Sequence, residues 1–337
     1  DKNGSMILFV VLLGMLLISM GTYRSPAVAL MPDVTPKPLR SKGNAIINLM
    51  GALGGVFTLA VTGMLVRTSA ETGRDDYSLL FFAVSALMVV AVVVLLLTIR
   101  EKKLTAEVAR INADLEKDEP KQPEQPDAKG GFKALPADLR RSLILILCSV
   151  SLWFMGYNAV TTAFSKYALK VLEVGEASAA NCLLVGTVVA ILSYWPVGVL
   201  SSKIGRKRMI MGGIALLMIA FLCAGMLTRL SFVAYIIFAL VGMGWASIGV
   251  NSYPMVVELA SGSDVGKYTG YYYTASMAAQ SLTPTVSGIF MDKIAMTSLF
   301  PYAAIFVGLA FFTMLMVKHG DSKVTAKKGL EALDIDD

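Results

Sequence analysis

One histidine and three cysteines are all that 337 residues offer for metal or thiol chemistry. Cys148, Cys182 and Cys223 are widely spaced and lie inside apolar runs, an odd set that suits small core residues and makes neither a disulfide framework nor a zinc site. His319 stands close to the carboxyl terminus, which leaves no imidazole for acid–base work in the apolar part of the chain. Charge is scarce as well: 16% of residues are charged against 55% hydrophobic, too little polar surface for a water-soluble globule of this length. Neither Asp nor Glu occurs in the interior of any long apolar run. The expectation is a protein that is not an enzyme and holds no resident cofactor.

What the chain has in abundance is apolar length. Nine runs, near 6–32, 44–66, 78–99, 142–165, 179–200, 209–228, 232–256, 268–291 and 299–317, each match the roughly 20 residues that a helix needs to cross a bilayer. This predicts an all-α, polytopic membrane protein with nine spans and the lipid bilayer as its first partner. The first run, with Lys2 before it and Ala27-Val28-Ala29 near its end, has the outline of a secretory signal, but it exceeds the roughly 7–15 residues of a signal core and Arg24 interrupts the approach to the cleavage site.

The net charge of +6 does not point to nucleic acid, because the basic residues cluster in alternate loops. Lys37, Arg40 and Lys42 follow the first run; ten Lys or Arg lie between 100 and 141; Lys203, Arg206, Lys207 and Arg208 follow the fifth run; Lys318, Lys323, Lys327 and Lys328 end the chain. Those loops are expected on the cytoplasmic side, the amino terminus outside and the carboxyl terminus inside. A plasma or inner cell membrane location follows as an expectation.

Between the third and fourth runs, Pro120, Pro123, Pro126, Gly130, Gly131 and Pro136 break a charged stretch whose first part, 102–119, reads as a helix. Three runs precede this linker and six follow it. Sliding the chain on itself by 225 positions places Asp33 on Glu258, Lys42 on Lys267, Asn44 on Thr269, Thr58 on Thr283, Thr62 on Ser287 and Gly63 on Gly288. Internal repeats of this kind are a transporter signature. In both copies a polar or small stripe climbs one helical face: Asn44, Asn48, Gly51, Gly55, Thr58 and Thr62 in the first, Thr269, Tyr273, Ser276, Gln280, Thr283 and Ser287 in the second. Small residues let membrane helices pack closely, and that suffices for the first stripe as well as cavity lining does. Tyr273 and Gln280 are large and polar, which favours a water-filled cavity for the second.

Further candidates come from faces. Asn158, Thr161, Thr162 and Ser165 share a side of the fourth run next to Tyr157; Trp245, Asn251 and Ser252 lie on the seventh, where Pro254 permits a break. Amides and hydroxyls beside an aromatic platform suit a neutral polyol such as a sugar. Packing or interfacial anchoring accounts for the aromatics equally well. Arg24 is the one strong charge well inside a run and is a candidate to meet an acid or solute oxygens, unless it snorkels to the headgroups.

The segment Gly198-Val199-Leu200-Ser201-Ser202-Lys203-Ile204-Gly205-Arg206-Lys207-Arg208 resembles the loop motif G-x-L-x-D-[KR]-x-G-R-[KR] of the major facilitator superfamily, with Ser202 where the acid belongs. Asp33 and Arg40, six residues apart in between, match an acid-x6-Arg pattern of the same superfamily. The resemblance implies a major facilitator fold in which Asp33, Arg40, Arg206 and Glu258 form gate charges, with Arg206 paired to Glu258. Ala29-Leu30-Met31-Pro32-Asp33, Met50-Gly51-Ala52-Leu53-Gly54-Gly55, Trp153-Phe154-Met155-Gly156-Tyr157-Asn158-Ala159 and Tyr268-Thr269-Gly270-Tyr271-Tyr272-Tyr273 are similar to segments of sucrose/proton and glycoside-pentoside-hexuronide cation symporters. By that resemblance the nine spans correspond to helices 4 to 12 of twelve. Residues 1–99 are then a partial amino-terminal bundle, 100–141 a cytoplasmic linker, 142–318 a six-helix bundle and 319–337 a cytoplasmic tail. The proton site of the plant members is not carried over, since Leu17 and Val28 stand where they have an acid and an arginine.

The expected function is secondary active transport of a sugar or glycoside by a monomer, by alternating access with cation coupling, and no transport by the nine-span chain alone. The expected solute-facing residues are Arg24, Tyr157, Asn158, Thr161, Trp245, Asn251, Tyr273 and Gln280. An exporter of amphipathic compounds and a non-transporting receptor or scaffold on the same helices are the alternatives.

Overall fold

Backbone in hydrocarbon has only its own carbonyls to bond, so each long apolar run has to close its hydrogen bonds within one helix. The computed structural model describes residues 2–65, 67–68, 75–117, 135–260 and 265–321. It contains α1 (Lys2–Asp33), α2 (Arg40–Leu65), α3 (Ser78–Thr98), α4 (Glu101–Lys117), α5 (Ala137–Val171), α6 (Glu176–Ile204), α7 (Arg206–Gly225), α8 (Phe232–Val257), α9 (Val265–Lys293) and α10 (Leu299–Leu315). Nine of these carry the nine apolar runs, and α4 is the charged helix of the linker. Most of the proline-rich linker, the loop at 69–74 and the chain beyond 321 lie outside the described residues, as do the side chains of Thr58 and Thr62.

Helices overrun their apolar cores where the flanks favour it. α5 starts directly after Pro136, with Asp138 in its first turn and Lys170 in its last, each charge at the end of the helix dipole that it stabilises. One feature has no precursor in the apolar pattern: Arg67–Thr68 pairs antiparallel with Asp75–Asp76, a two-residue clasp across the turn from α2 to α3. Among the described residues, seven helices are long and apolar enough to cross a membrane. α9 is not among them, because its polar stripe lowers it.

The six helices after the linker form one packed bundle. α8 is its centre, flanked by α6 and α7, while α5 packs on α9 and α10 and α10 on α7. Glycine sets how close they come. A Cβ on Gly242 would run into the carbonyl oxygen of Gly186, and Gly213 and Gly244 each bring the other's carbonyl to 2.7 and 2.9 Å of where a Cβ would sit. Backbones in such contact are held by dispersion and weak Cα–H···O contacts rather than by a hydrophobic effect, which lipid does not supply. Phe164, Tyr167, Phe221, Phe238 and Phe300 fill the space toward one end of the bundle.

The three helices before the linker are barer. No residue in the most apolar stretch of α1 or of α3 is buried. Where this half meets the other, α1 lies on α9 while α2 lies on α6 and α8. The 225-residue register relates α1 to α8 and α2 to α9, so the pairs cross over, α1 on α9 and α2 on α8, as a pseudo-two-fold relation requires. Gly198 permits the α2–α6 contact, its Cβ position lying 2.8 Å from the Ala45 Cβ. α4 attaches beneath: Asn112 Oδ1 accepts the Lys37 N–H at 3.0 Å, and Val108 is buried.

Candidate functional site

At the end where the basic loops gather, the two halves are tied together. Pro36 and Pro38 favour a tight connection between α1 and α2, and Lys37–Leu39 forms one 3-10 turn that leaves Arg40 at the start of α2. Gly205, with φ +95°, makes the sharp break between α6 and α7 and leaves Arg206 as the first residue of α7. Glu258 ends α8. One of its oxygens, Oε2, receives the Arg206 guanidinium at 3.0 Å and that of Arg40, from the other half, at 3.4 Å. Arg206 also crosses to the other half directly, donating to Ser41 Oγ at 2.9 Å and to the Lys37 carbonyl at 2.7 Å. Arg40 also donates to the Pro32 carbonyl at 3.1 Å, while its buried Nε has no partner among the described residues. Asp33 forms no ion pair within 4 Å among the described residues; it acts on Arg40 through space, with Glu101 near enough to oppose it.

Above the charges lies a second layer. Asn44 Nδ2 donates to the Gly249 and Val250 carbonyls of α8 at 3.0 and 2.8 Å. Its repeat counterpart Thr269 contacts the Tyr253 hydroxyl at 2.9 Å, and that hydroxyl donates to the Val28 carbonyl of α1 at 3.2 Å. Each half thus reaches the other's backbone, through Asn44 in one direction and Tyr253 in the other. Val250, Ala45, Val197 and Met209 close a small buried contact at the same level.

Further along, the aromatic candidates converge. Tyr157 stacks on Trp245 with ring centroids 3.8 Å apart and 8° between planes, and Phe154 meets the same indole edge-on at 5.1 Å. Next to them, Tyr157, Thr161, Thr187, Gly186 and Gly242 line part of a cavity of ≈ 130 Å³ between α5, α6 and α8. Asn158 is half-buried; its Nδ2 donates to the Phe154 carbonyl at 2.8 Å, and no described group donates to its Oδ1. Arg24 is exposed on α1, its guanidinium carbon 5.0 Å from the centre of the Tyr273 ring across the interface. Half-buried Gln280 makes no hydrogen bond among the described residues.

Two groups of expected residues lie in packed surroundings. Asn251 does not face open space: it is fully buried, its Nδ2 donates to Ser247 one turn back, and its Oδ1 has no partner. The α9 stripe also divides. Thr269, Ser276, Thr283 and Ser287 are buried, and the first three return their hydroxyls to carbonyls of their own helix, the behaviour of packing residues. Of the six, Tyr273 and Gln280 are half-buried rather than buried. Ser41, Tyr253 and Asp321 escaped the sequence reading. The available signal for Tyr253 was its 225-residue offset from Val28; nothing marked Asp321, which acts far along the chain from its partners.

The chain matches the family model described as Major Facilitator Superfamily over residues 3–250 and again over 183–334. No curated protein matches it in sequence. Among solved structures it is similar to the major facilitator transporter FucP in an outward conformation (12% identity, TM-score 0.62, 88% of this chain and 72% of that one). It is also similar to the proton:xylose symporter XylE bound to 6-bromo-6-deoxy-D-glucose (15% identity, TM-score 0.63, 86% and 67%). A variant of the Escherichia coli fucose:proton symporter FucP gives 15% identity and a TM-score of 0.58 over 88% and 73%. With the family model spanning most of its length and two helix bundles tied at one charged end, this multi-pass membrane protein belongs to the major facilitator superfamily.

Proposed function

We propose that the protein is a secondary active transporter that carries a sugar or glycoside across the cell membrane by alternating access, coupled to protons or sodium. The carrying observation is Glu258, shared by an arginine from each half, with Arg206 bonded across to Ser41 and Lys37. Such a network holds one end of a central pathway shut and is broken when the halves rock. With the basic loops placed inside, the arrangement is the cytoplasm-closed state, and it resembles a neighbour whose structure is in an outward conformation. That two of the neighbours are sugar:proton symporters supports the solute class.

In this reading the Tyr157–Trp245 pair offers a face for the apolar side of a sugar ring, Asn158 Oδ1 and the Gln280 amide meet hydroxyls, and Arg24 and Tyr273 border the path between the halves. Removing the indole with Trp245→Ala is expected to weaken sugar uptake about tenfold at low substrate, with Trp245→Phe recovering part of it. The decisive experiment is sugar addition to proteoliposomes that contain the full-length protein. A sugar-driven pH change, or sodium-dependent sugar uptake, is expected. Silence with every sugar accompanied by efflux of amphipathic compounds would replace this reading with an exporter, and silence in both with a receptor or scaffold.

A further inference from the structure

The loop between α6 and α7 lacks the acid of the motif that it otherwise follows. Ser202 holds that place, and its hydroxyl is turned back onto its own helix, donating to the Gly198 carbonyl at 3.1 Å. A carboxylate is nevertheless present, brought from the segment after α10. Asp321 Oδ1 accepts the backbone N–H of Arg206 at 2.8 Å and of Lys207 at 3.4 Å, the first two residues of α7. Its two oxygens lie 3.2 and 3.1 Å from the position that a Cβ on Gly205 would take, so a side chain there would press on the carboxylate.

The segment that delivers it is itself fastened. Lys207 Nζ donates to the Leu315 and Val317 carbonyls at 3.0 and 2.6 Å, where α10 leaves its last carbonyls unpaired. His319 Nδ1 is 2.9 Å from Ser142 Oγ on α5. Gly320, with φ +94°, passes so close to α8 that a Cβ would meet the Met255 carbonyl at 2.7 Å. Three helices beyond α10 therefore hold residues 317–321 in place.

We infer that Asp321 is a positioning residue of the gate, a carboxylate brought to the loop whose motif acid is missing. It fixes the N-terminus of α7 at the residue whose side chain leaves for Glu258, Ser41 and Lys37. An anion at that N-terminus is favourable in its own right. Its particular effect is that Arg206 is held by its backbone from one half while its guanidinium grips the other. The beginning of the region expected as a cytoplasmic tail is thus part of the lock.

This inference rests on the gate reading above, and one assay separates the two. Cys148, Cys182 and Cys223 are replaced by Ala, and Val250→Cys places a thiol in the buried contact with Ala45, Val197 and Met209. A membrane-impermeant maleimide applied from the cytoplasmic face of inside-out vesicles then reports opening. Asp321→Ala is expected to speed labelling about three- to tenfold, and Asp321→Asn, which keeps an acceptor but drops the charge, by less. Unchanged labelling in Asp321→Ala beside faster labelling in Glu258→Gln overturns the inference and leaves the gate standing; unchanged labelling in both removes the gate reading as well. A merely structural role would lower yield or melting temperature while the folded fraction labels at the parent rate, and that result also overturns it. Should Asp321→Ala not fold, Asp321→Asn decides alone: faster labelling upholds the assignment, an unchanged rate ends it.

Discussion

Glu258→Gln opens the basic end of the protein: the thiol at position 250 becomes reactive from that side at a rate about a hundredfold above the parent. The size follows from what the substitution leaves behind. The side chains of Arg40 and Arg206 are 7% and 3% exposed, and Glu258, itself 11% exposed, is the acid that they share. Breaking a buried pair by removing one partner costs about 3–5 kcal/mol, because the charge left behind is neither solvated nor matched. Here two guanidinium groups are stranded beside each other. The closed state alone bears that cost, since parting the halves returns both arginines to water, so the balance between closed and open shifts by about 10² to 10⁴. Arg206→Ala is the next most severe change, since it removes the Ser41 and Lys37 contacts together with the ion pair. Arg40→Ala is milder, with one longer bond to Glu258 and one to a carbonyl on its own side. A labelling rate at 250 unmoved by Glu258→Gln would mean that the ion pair latches nothing.

Gly242→Ala destabilises the six-helix bundle by about 3 kcal/mol or more, whereas Gly249→Ala, seven residues on along α8, is close to neutral. Around Gly249 nothing lies within 4 Å of an added Cβ. At Gly242 the added methyl would run into the backbone of Gly186, with the Ala190 nitrogen only 3.1 Å away. A flexible side chain turns aside; a carbonyl inside a helix cannot, so α6 and α8 have to separate. Gly186 and Gly242 line the cavity beside Tyr157 and Thr161, so separation also disturbs the surface proposed for the solute. The measurement is the midpoint of thermal unfolding in detergent for the two variants side by side. Equal midpoints would show that the helices tolerate the extra volume.

The helices were legible because in a bilayer apolar length nearly determines secondary structure, and the break into three and six because proline and charge are so concentrated between 100 and 141. Arg206 and Glu258 come together from two separate clues, a loop motif and a repeat register, and in the fold they stand 3.0 Å apart. Asn251 shows where such reasoning ends. Its place on a helix is the same whether the face meets a cavity or another helix, and only packing distinguishes them. Asp321 shows the other limit, since a carboxylate 115 residues from the amide that it caps leaves no local pattern. Tyr253 lies between these cases: its partner Val28 contributes a carbonyl, which every residue has, so the choice of partner is written in geometry rather than in side-chain type.

α9 carries a consequence for biosynthesis. The stripe through Thr269, Tyr273, Ser276 and Gln280, with Pro284 beyond it, leaves this helix short of the hydropathy that commits a segment to lipid as it leaves the translocation channel. By the time it is made, α5 has already been laid down, with Ser151 ready to bond the Ala275 carbonyl at 3.3 Å. α9 therefore enters the membrane against a waiting neighbour rather than alone, and mutations on that face of α5 would be felt first as misthreaded chains, before any effect on solute movement.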